Sequence, residues 1–217
     1  MGSIETMTLL GQSFIDLAEY LPIEKISVSD IVAASGKNRK TFYYHFESKD
    51  SLIRWIFRRD LAEQLAARAE ADTLVYEKDG PGAFAQLPYY VQKKSGVRSL
   101  DGTVFLESLA ACFQGRRSYY AKVLRQSGPD SLQAYLRRLY TQALQDDVLF
   151  ILSNRYLPQA NVHFLAEFYA GAIVTYLAER TCDASCSDIL VEAGPFGNVV
   201  HASLESVIKD QQLKRGL

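Results

Sequence analysis

The residues with the clearest capacity for chemistry form one run, Lys37-Asn38-Arg39-Lys40-Thr41-Phe42-Tyr43-Tyr44-His45. Its side chains supply amide, guanidinium, ammonium, hydroxyl and imidazole groups, which can contact phosphate oxygens and base edges. Seven Lys or Arg residues lie between Lys37 and Arg59 against two acids, Glu47 and Asp50, although the whole 217-residue chain carries a formal charge of −1. A locally cationic segment on a near-neutral chain suits a small nucleic-acid-binding head balanced by a mixed body. Taken alone, Tyr43, Tyr44 and His45 would read as packing and Lys40 as a solvated residue. Their setting must decide.

No catalytic constellation emerges elsewhere. His45, His163 and His201 are scattered, and there is no Gly-x-Ser-x-Gly elbow, phosphate-binding glycine loop or His-Glu-x-x-His. The neighbouring acids Asp146 and Asp147 would point apart on a helix and read as solvated surface or a helix end. Three cysteines, Cys112, Cys182 and Cys186, give no disulfide framework. The four-residue spacing of the last two is the only suggestive one, and it reads as ordinary thiols ahead of redox or metal sensing. No metal and no cofactor is expected. The opening residues lack a secretory pattern, and the apolar segment Ala170–Leu177 is too short to span a bilayer. The expected location is therefore the cytoplasm, without membrane association.

Three helices should position the cationic run. Leu10, Phe14, Leu17 and Leu21 recur at helical steps, so the first helix should cover about Ile4–Tyr20 and stop at Pro22. Ser27 and Asp30 have capping-box spacing, and Ile26 and Ile31 flank the cap at staple spacing. That second helix should end at Ser35-Gly36. A third begins after Asn38. Two short helices joined by a glycine turn and braced by a longer one form a helix-turn-helix, whose second member can enter a major groove.

The stretch from Ile26 to Leu52, centred on Thr41-Phe42-Tyr43-Tyr44-His45-Phe46 and Ser48-Lys49-Asp50-Ser51-Leu52, resembles the DNA-binding signature of the tetracycline-repressor (TetR) family. The resemblance covers roughly residues 5–55. It implies a homodimer on a near-palindromic, double-stranded operator. Arg39, Lys40 and Thr41 match groove-facing positions, with Lys37 and Asn38 at the turn. Tyr43, Tyr44 and His45 match positions touching phosphates or base edges, and Lys49 matches a phosphate-contacting lysine. Phe42 and Phe46 match the packed side. Lys37 departs from the pattern, which usually has a small or branched apolar residue there and so raises the question of turn geometry. The head is most similar to a branch of regulators of dihydroxyacetone kinase genes, some of which act with a partner protein.

The expected fold is thus all-α: a three-helix helix-turn-helix DNA-binding domain over residues 1–48, then a helical effector-binding and dimerisation domain over 49–217. A fourth helix, capped by Ser48 and running to about Ala71, should join the two as a lever. Residues 76–100 should be irregular, with a short helix near Ala83–Leu87. Further helices are expected at about Val104–Phe113, Ser118–Gln126, Asp130–Tyr140 with an extension to Asp146 and a bent continuation through Val148–Tyr156, Val162–Glu179, and Gly197–Gln212 after a Gly194-Pro195 loop. Phe164, Phe168 and Ala172 on the eighth helix and Val200, Leu204 and Ile208 on the last form apolar stripes. In the resembled family two late helices of each subunit make the dimer interface, so these six residues are its candidates; the plainer reading is monomer core. Tyr119, Tyr120, Tyr140 and Phe168 are candidate effector contacts on aromatic character and position alone. The expected function is sequence-specific repression released by an unknown small-molecule effector, the alternative being a co-regulator whose body answers to a partner protein.

Overall fold

A computed structural model of the chain describes residues 3–77, 82 and 84–213. The head is built from α1 (Ser3–Tyr20), α2 (Val28–Ala34) and α3 (Arg39–His45). Leu10 and Phe14 of α1 meet Ile31 of α2 and Phe42 of α3 in a fully buried core. The expected capping box forms: the Ser27 amide donates to Asp30 Oδ2 at 2.8 Å, and the Asp30 amide donates back to Ser27 Oγ. Gly36, at φ +64°, closes α2. Its amide donates to the Ala33 carbonyl while the Lys37 amide donates to that of Val32, the paired bonds of a Schellman turn. The unusual Lys37 therefore leaves the turn geometry intact, because the turn uses only its backbone.

The long helix α4 (Lys49–Arg68) begins with a capping box of its own, between Ser48 and Ser51. Its first residue turns inward: Lys49 Nζ donates to the Ile23 carbonyl at 2.7 Å and that of Ile26 at 3.0 Å. This ammonium pins the segment before α2 onto α4. Farther along, α4 buries opposite charges two residues apart, so they leave the helix on different faces. Arg58 is fully buried; it pairs with Glu77, donates to Tyr135 Oη at 3.0 Å and to the Leu87 carbonyl at 2.6 Å, and lies over the Tyr89 ring. Asp60 faces the other way and accepts from Tyr120 Oη, Arg116 and Arg59.

Between α4 and the next helix lie two small antiparallel ribbons rather than an irregular loop. They are β1 (Leu74–Val75) paired with β2 (Tyr90–Val91), and β3 (Lys93–Gly96) paired with β4 (Ser99–Asp101). These strands are too short for periodicity to reveal them. The short helix expected at Ala83–Leu87 begins at a residue outside those described; Phe84 to Leu87 form a turn.

The body continues with α5 (Thr103–Gly115), α6 (Arg117–Leu124), α7 (Leu132–Leu152), α8 (Gln159–Cys182) and α9 (Ile189–Leu213). The continuation expected after Asp146 belongs to one uninterrupted helix, which runs until Ser153, at φ +59°, stops it. Nor does a loop at Gly194-Pro195 precede α9: Pro195 lies inside that helix. Proline removes the bond to the carbonyl four residues earlier, here that of Val191, which sits on a solvent-exposed turn. The short α6 is a bridge. Its Lys122 Nζ donates to the Ala18 carbonyl at 2.5 Å at the end of α1, and its Arg117 donates to the carbonyls of Arg180 and Thr181 at the end of α8.

Two stability outcomes follow from these buried charges. Lys49→Ala should lower the stability of the DNA-free chain by about 1–2 kcal/mol, since two charge-assisted bonds are lost and their carbonyls are left unpaired. Denaturant midpoints would show it, and an unchanged midpoint would return Lys49 to a purely DNA-facing role. Glu77→Ala should destabilise by about 2 kcal/mol, because a buried guanidinium would keep only neutral partners. Adding Arg58→Met should restore part of that loss, whereas strictly additive effects in the double variant would reject the pairing.

Candidate nucleic-acid interface

Helix α3 keeps opposite sides for opposite tasks. Phe42 is buried against the head core and Phe46 packs edge-on to Trp55 of α4. On the other side Tyr43 is 57% exposed and Tyr44 82% exposed. The Tyr43 ring meets that of Phe42 edge-on and the Tyr44 ring that of His45, and the larger part of each side chain is left open to a partner. Arg39 and Lys40 lie on the same outer side and are likewise exposed.

Local bonds set the geometry of this surface. Asn38 Oδ1 accepts from the Thr41 amide at 2.9 Å and from Thr41 Oγ1 at 3.1 Å, so these two residues cap α3 and fix its start. The Arg39 guanidinium donates to Ser29 Oγ of α2 and ties together the two helices of the motif. Ser29 had no mark in the sequence, since a serine inside a short helix looks like any polar surface residue. His45 is partly covered, and that burial lowers its pKa, so the imidazole is neutral at neutral pH and can offer a hydrogen bond but not a charge.

The nine residues expected to meet DNA therefore divide. Lys37, Arg39, Lys40, Tyr43 and Tyr44 surround the outer side of α3, Asn38 and Thr41 build its cap, and His45 lies at its far end. Lys49 is engaged with backbone carbonyls behind the motif. The cationic run also shrinks, because Arg54 pairs with Asp130, Arg58 with Glu77 and Arg59 with Asp60. Spacing alone could not separate cations that face solvent from cations that hold the fold.

The effector and dimer candidates are also redistributed. Tyr119, Tyr120 and Tyr140 are buried core rings, and burial pushes all three phenols well above their ordinary range. Phe168 is 59% exposed and lines neither the groove between head and body nor the small cavity inside the body. Val200, Leu204 and Ile208 of α9 are buried within the monomer, against the expectation that they face a second subunit. An apolar stripe at helical spacing serves a core and an interface equally well, and here α9 needs it to pack on α5 and α8. Phe164 and Phe168 of α8, by contrast, stand outward together with Val191 and Val199 of α9. Ala172 is half-buried beside Gly171, which has open space around it.

Two concavities accompany these surfaces. A groove of about 730 Å³ separates head from body, lined by Ile4, Met7, Trp55, Arg54, Arg59 and Leu87 among others. A smaller cavity of about 40 Å³ lies inside the body between α5, α7, α8 and α9. Among the described residues no group of His, Cys, Asp and Glu could hold a metal ion, and no helix is long and apolar enough to cross a membrane.

Comparison with known proteins agrees with the head. Residues 22–56 match the family model of bacterial regulatory proteins, tetR family. Over 61 residues the chain is 39% identical to the HTH-type dhaKLM operon transcriptional activator DhaS of Lactococcus lactis subsp. lactis (strain IL1403). That match spans 28% of this chain and 33% of the relative. Among solved structures, a dihydroxyacetone kinase operon activator DhaS superposes with a TM-score of 0.53 over 93% of this chain and 97% of that one, at 19% identity, a likeness of fold. These relatives are transcriptional regulators and not enzymes. The N-terminal helix-turn-helix of the chain is thus similar to that of the tetR family of bacterial regulatory proteins, and the match covers the head alone.

Proposed function

We propose that the chain is a homodimeric transcriptional regulator that grips a near-palindromic operator with two α3 helices and releases it when its body binds an effector. The observation that carries the DNA-binding part is the exposed row of Arg39, Lys40, Tyr43 and Tyr44 on a helix anchored to the head core by buried Phe42. Arg39 reads sequence at the start of α3, and Lys40 and Tyr44 hold backbone. The sign proposed is repression, by occupation of a promoter that the operator overlaps. The Lactococcus relative is titled an activator, so reporter expression with and without this chain is the measurement of sign.

The proposed dimer face is the outward patch of Phe164, Phe168 and Ala172 on α8 with Val191 and Val199 on α9. The reading is supported by four large apolar side chains open to water on these two helices, with the Phe164 and Phe168 rings in contact. A reader of two half-sites needs its heads paired at fixed separation, which favours a second copy as the occupant. The proposed effector is a small molecule bound in the body, with α4 carrying the resulting tilt to the head.

With three cations per head at the outer side of α3, exposed Arg39 and Lys40 and half-buried Lys37, a dimer that uses all of them neutralises about six phosphates, so the slope of log affinity against log salt should be about −5. A slope near −10 would mean that the inward cations also reach DNA. Selection of bound genomic fragments supplies the operator. Arg39→Ala should then narrow the gap between operator and scrambled duplex by at least about tenfold, while Lys40→Ala should weaken both alike. The reverse pattern would exchange their roles. Phe168→Glu should leave a folded chain that sediments as a monomer, since the side chain is solvated in the single subunit but would be desolvated and unpaired in the interface. A dimer of unchanged affinity would place the interface elsewhere.

A further inference from the structure

The cavity inside the body has a feature that packing does not require. Its wall is mostly apolar, from Phe105 and Leu106 of α5, Leu144 of α7 and Ile173 of α8. Into it comes a carboxylate, Asp147 of α7, which is buried. Tyr90 Oη donates to its Oδ2 at 2.5 Å and Gln92 Nε2 to its Oδ1 at 2.9 Å. Among the described residues no cation pairs with it. The neighbouring Asp146 is exposed, as adjacent acids on a helix should be; the expectation of two solvated acids fails only for Asp147.

An asparagine at this position could keep both contacts without a charge, accepting from Gln92 at its oxygen and donating from its amide nitrogen to Tyr90 Oη. Retaining an unpaired carboxylate in an apolar wall is unfavourable unless something supplies the missing charge. The half-buried rim adds Glu205, with His201 one turn before it on α9. The volume, about 40 Å³, admits about three waters or a chain of about three or four heavy atoms. From this geometry we propose that the cavity is the effector site and that its ligand class is a small organic cation, a short-chain primary ammonium whose head meets Asp147 and whose tail lies against Phe105, Leu106 and Ile173. The proposal rests on reading the body as an effector domain.

Titration supports the same assignment. Burial, opposed by the Tyr90 and Gln92 bonds and assisted by Asp146, raises the Asp147 pKa to about 6. His201 and Glu205 face it from α9, while α5 and α8 bring only apolar groups to the cavity. The folded chain therefore holds this proton more tightly than the unfolded chain, and Asp147 withdraws stability as pH rises from its ordinary value of 3.8 to about 6. Above that pH the folded, unliganded chain carries a buried charge without a counter-ion. An ammonium ligand recovers the loss and should bind only the ionised form.

The test is calorimetric titration of the full chain without DNA, using methyl- to butylammonium chlorides at about pH 7.5, with propan-1-ol and propionate as neutral and anionic counterparts. At least one ammonium should bind, and its alcohol counterpart should bind at least about tenfold more weakly. Its affinity should fall progressively as pH is lowered below about 6. These readouts need no variant. Asp147→Asn, checked for folding by circular dichroism, should abolish the ammonium signal. The assignment is overturned by an alcohol that matches the amine, by a pH-independent affinity, by an Asn variant that still binds, or by no binding across the series. Fragment selection separates this from the parent reading. Duplex binding without amine binding removes only the site, and amine binding without duplex binding removes only the regulator.

Discussion

Helix α4 buries Arg58 on one side and Asp60 on another, and the rest of the chain is arranged around those two charges. Neither could sit in an apolar core alone, since the desolvation of an isolated ion exceeds what packing returns. Arg58 therefore fixes Glu77, the Leu87 carbonyl and Tyr135 of α7 around itself, while Asp60 fixes Tyr120 of α6 and Arg116 before it. Because the two groups leave α4 on different faces, the helix is held from both sides and cannot roll without breaking one cluster. Its N-terminal end is held by Lys49 in the head. One helix is thus tied to the head through Lys49 and to the body through Arg58 and Asp60.

A second tie runs in parallel. Carbonyls at a helix C-terminus lack internal partners, and α6 with its C-cap residue satisfies those of two helices with cations, Lys122 for α1 and Arg117 and the capping Arg125 for α8. The C-terminus of α8, the helix that also bears the outward phenylalanines, is in this way joined to the first helix of the head through eight residues of α6. The stack of Tyr176 on Phe196, with ring centroids 4.1 Å apart, brings α9 into the same assembly. A displacement of α8 or α9 would reach the head through α6 and α1 as well as through α4.

How far the sequence could be read depended on whether local chemistry or tertiary partners decided the matter. The head was legible because its signals are local: the Ser27–Asp30 box, the Gly36 turn, the Asn38 cap and the Phe42/Phe46 side all act within a few residues. Nearly every body helix was visible from periodicity. The interior of α7 and the passage of α9 through Pro195 were not, because tertiary packing there overrides the local preference to break. The two ribbons escaped because strands of two to four residues carry no period. The greater loss concerned charge. Lys49, Arg54, Arg58 and Arg59 belong to one basic run in the sequence, yet their partners lie in the Ile23–Ile26 segment, at Asp130 and Glu77, and at Asp60. Asp147 was set aside for the same reason, since its burial depends on Tyr90 and α9.

That redistribution bears on how such a molecule could act. Under the DNA contact proposed above, the basic run offers a duplex exposed Arg39 and Lys40, half-buried Lys37 and two exposed tyrosines, while Lys49, Arg54, Arg58 and Arg59 hold the fold. A surface so small binds weakly on its own, because phosphate neutralisation supplies most of the affinity. Under the dimeric arrangement proposed above, joining two heads makes the second contact intramolecular, and the gain survives only while the separation of the heads matches that of the half-sites. Weak single heads on a rigid frame are thus a condition for control. An effector then needs no access to the DNA surface: shifting the frame by a small angle forfeits the second contact, and a coupling of about 1–3 kcal/mol is sufficient to change affinity from several-fold to a hundredfold. Stronger heads would bind DNA singly and ignore the body, whereas a looser α4 would absorb the shift before it reached α3.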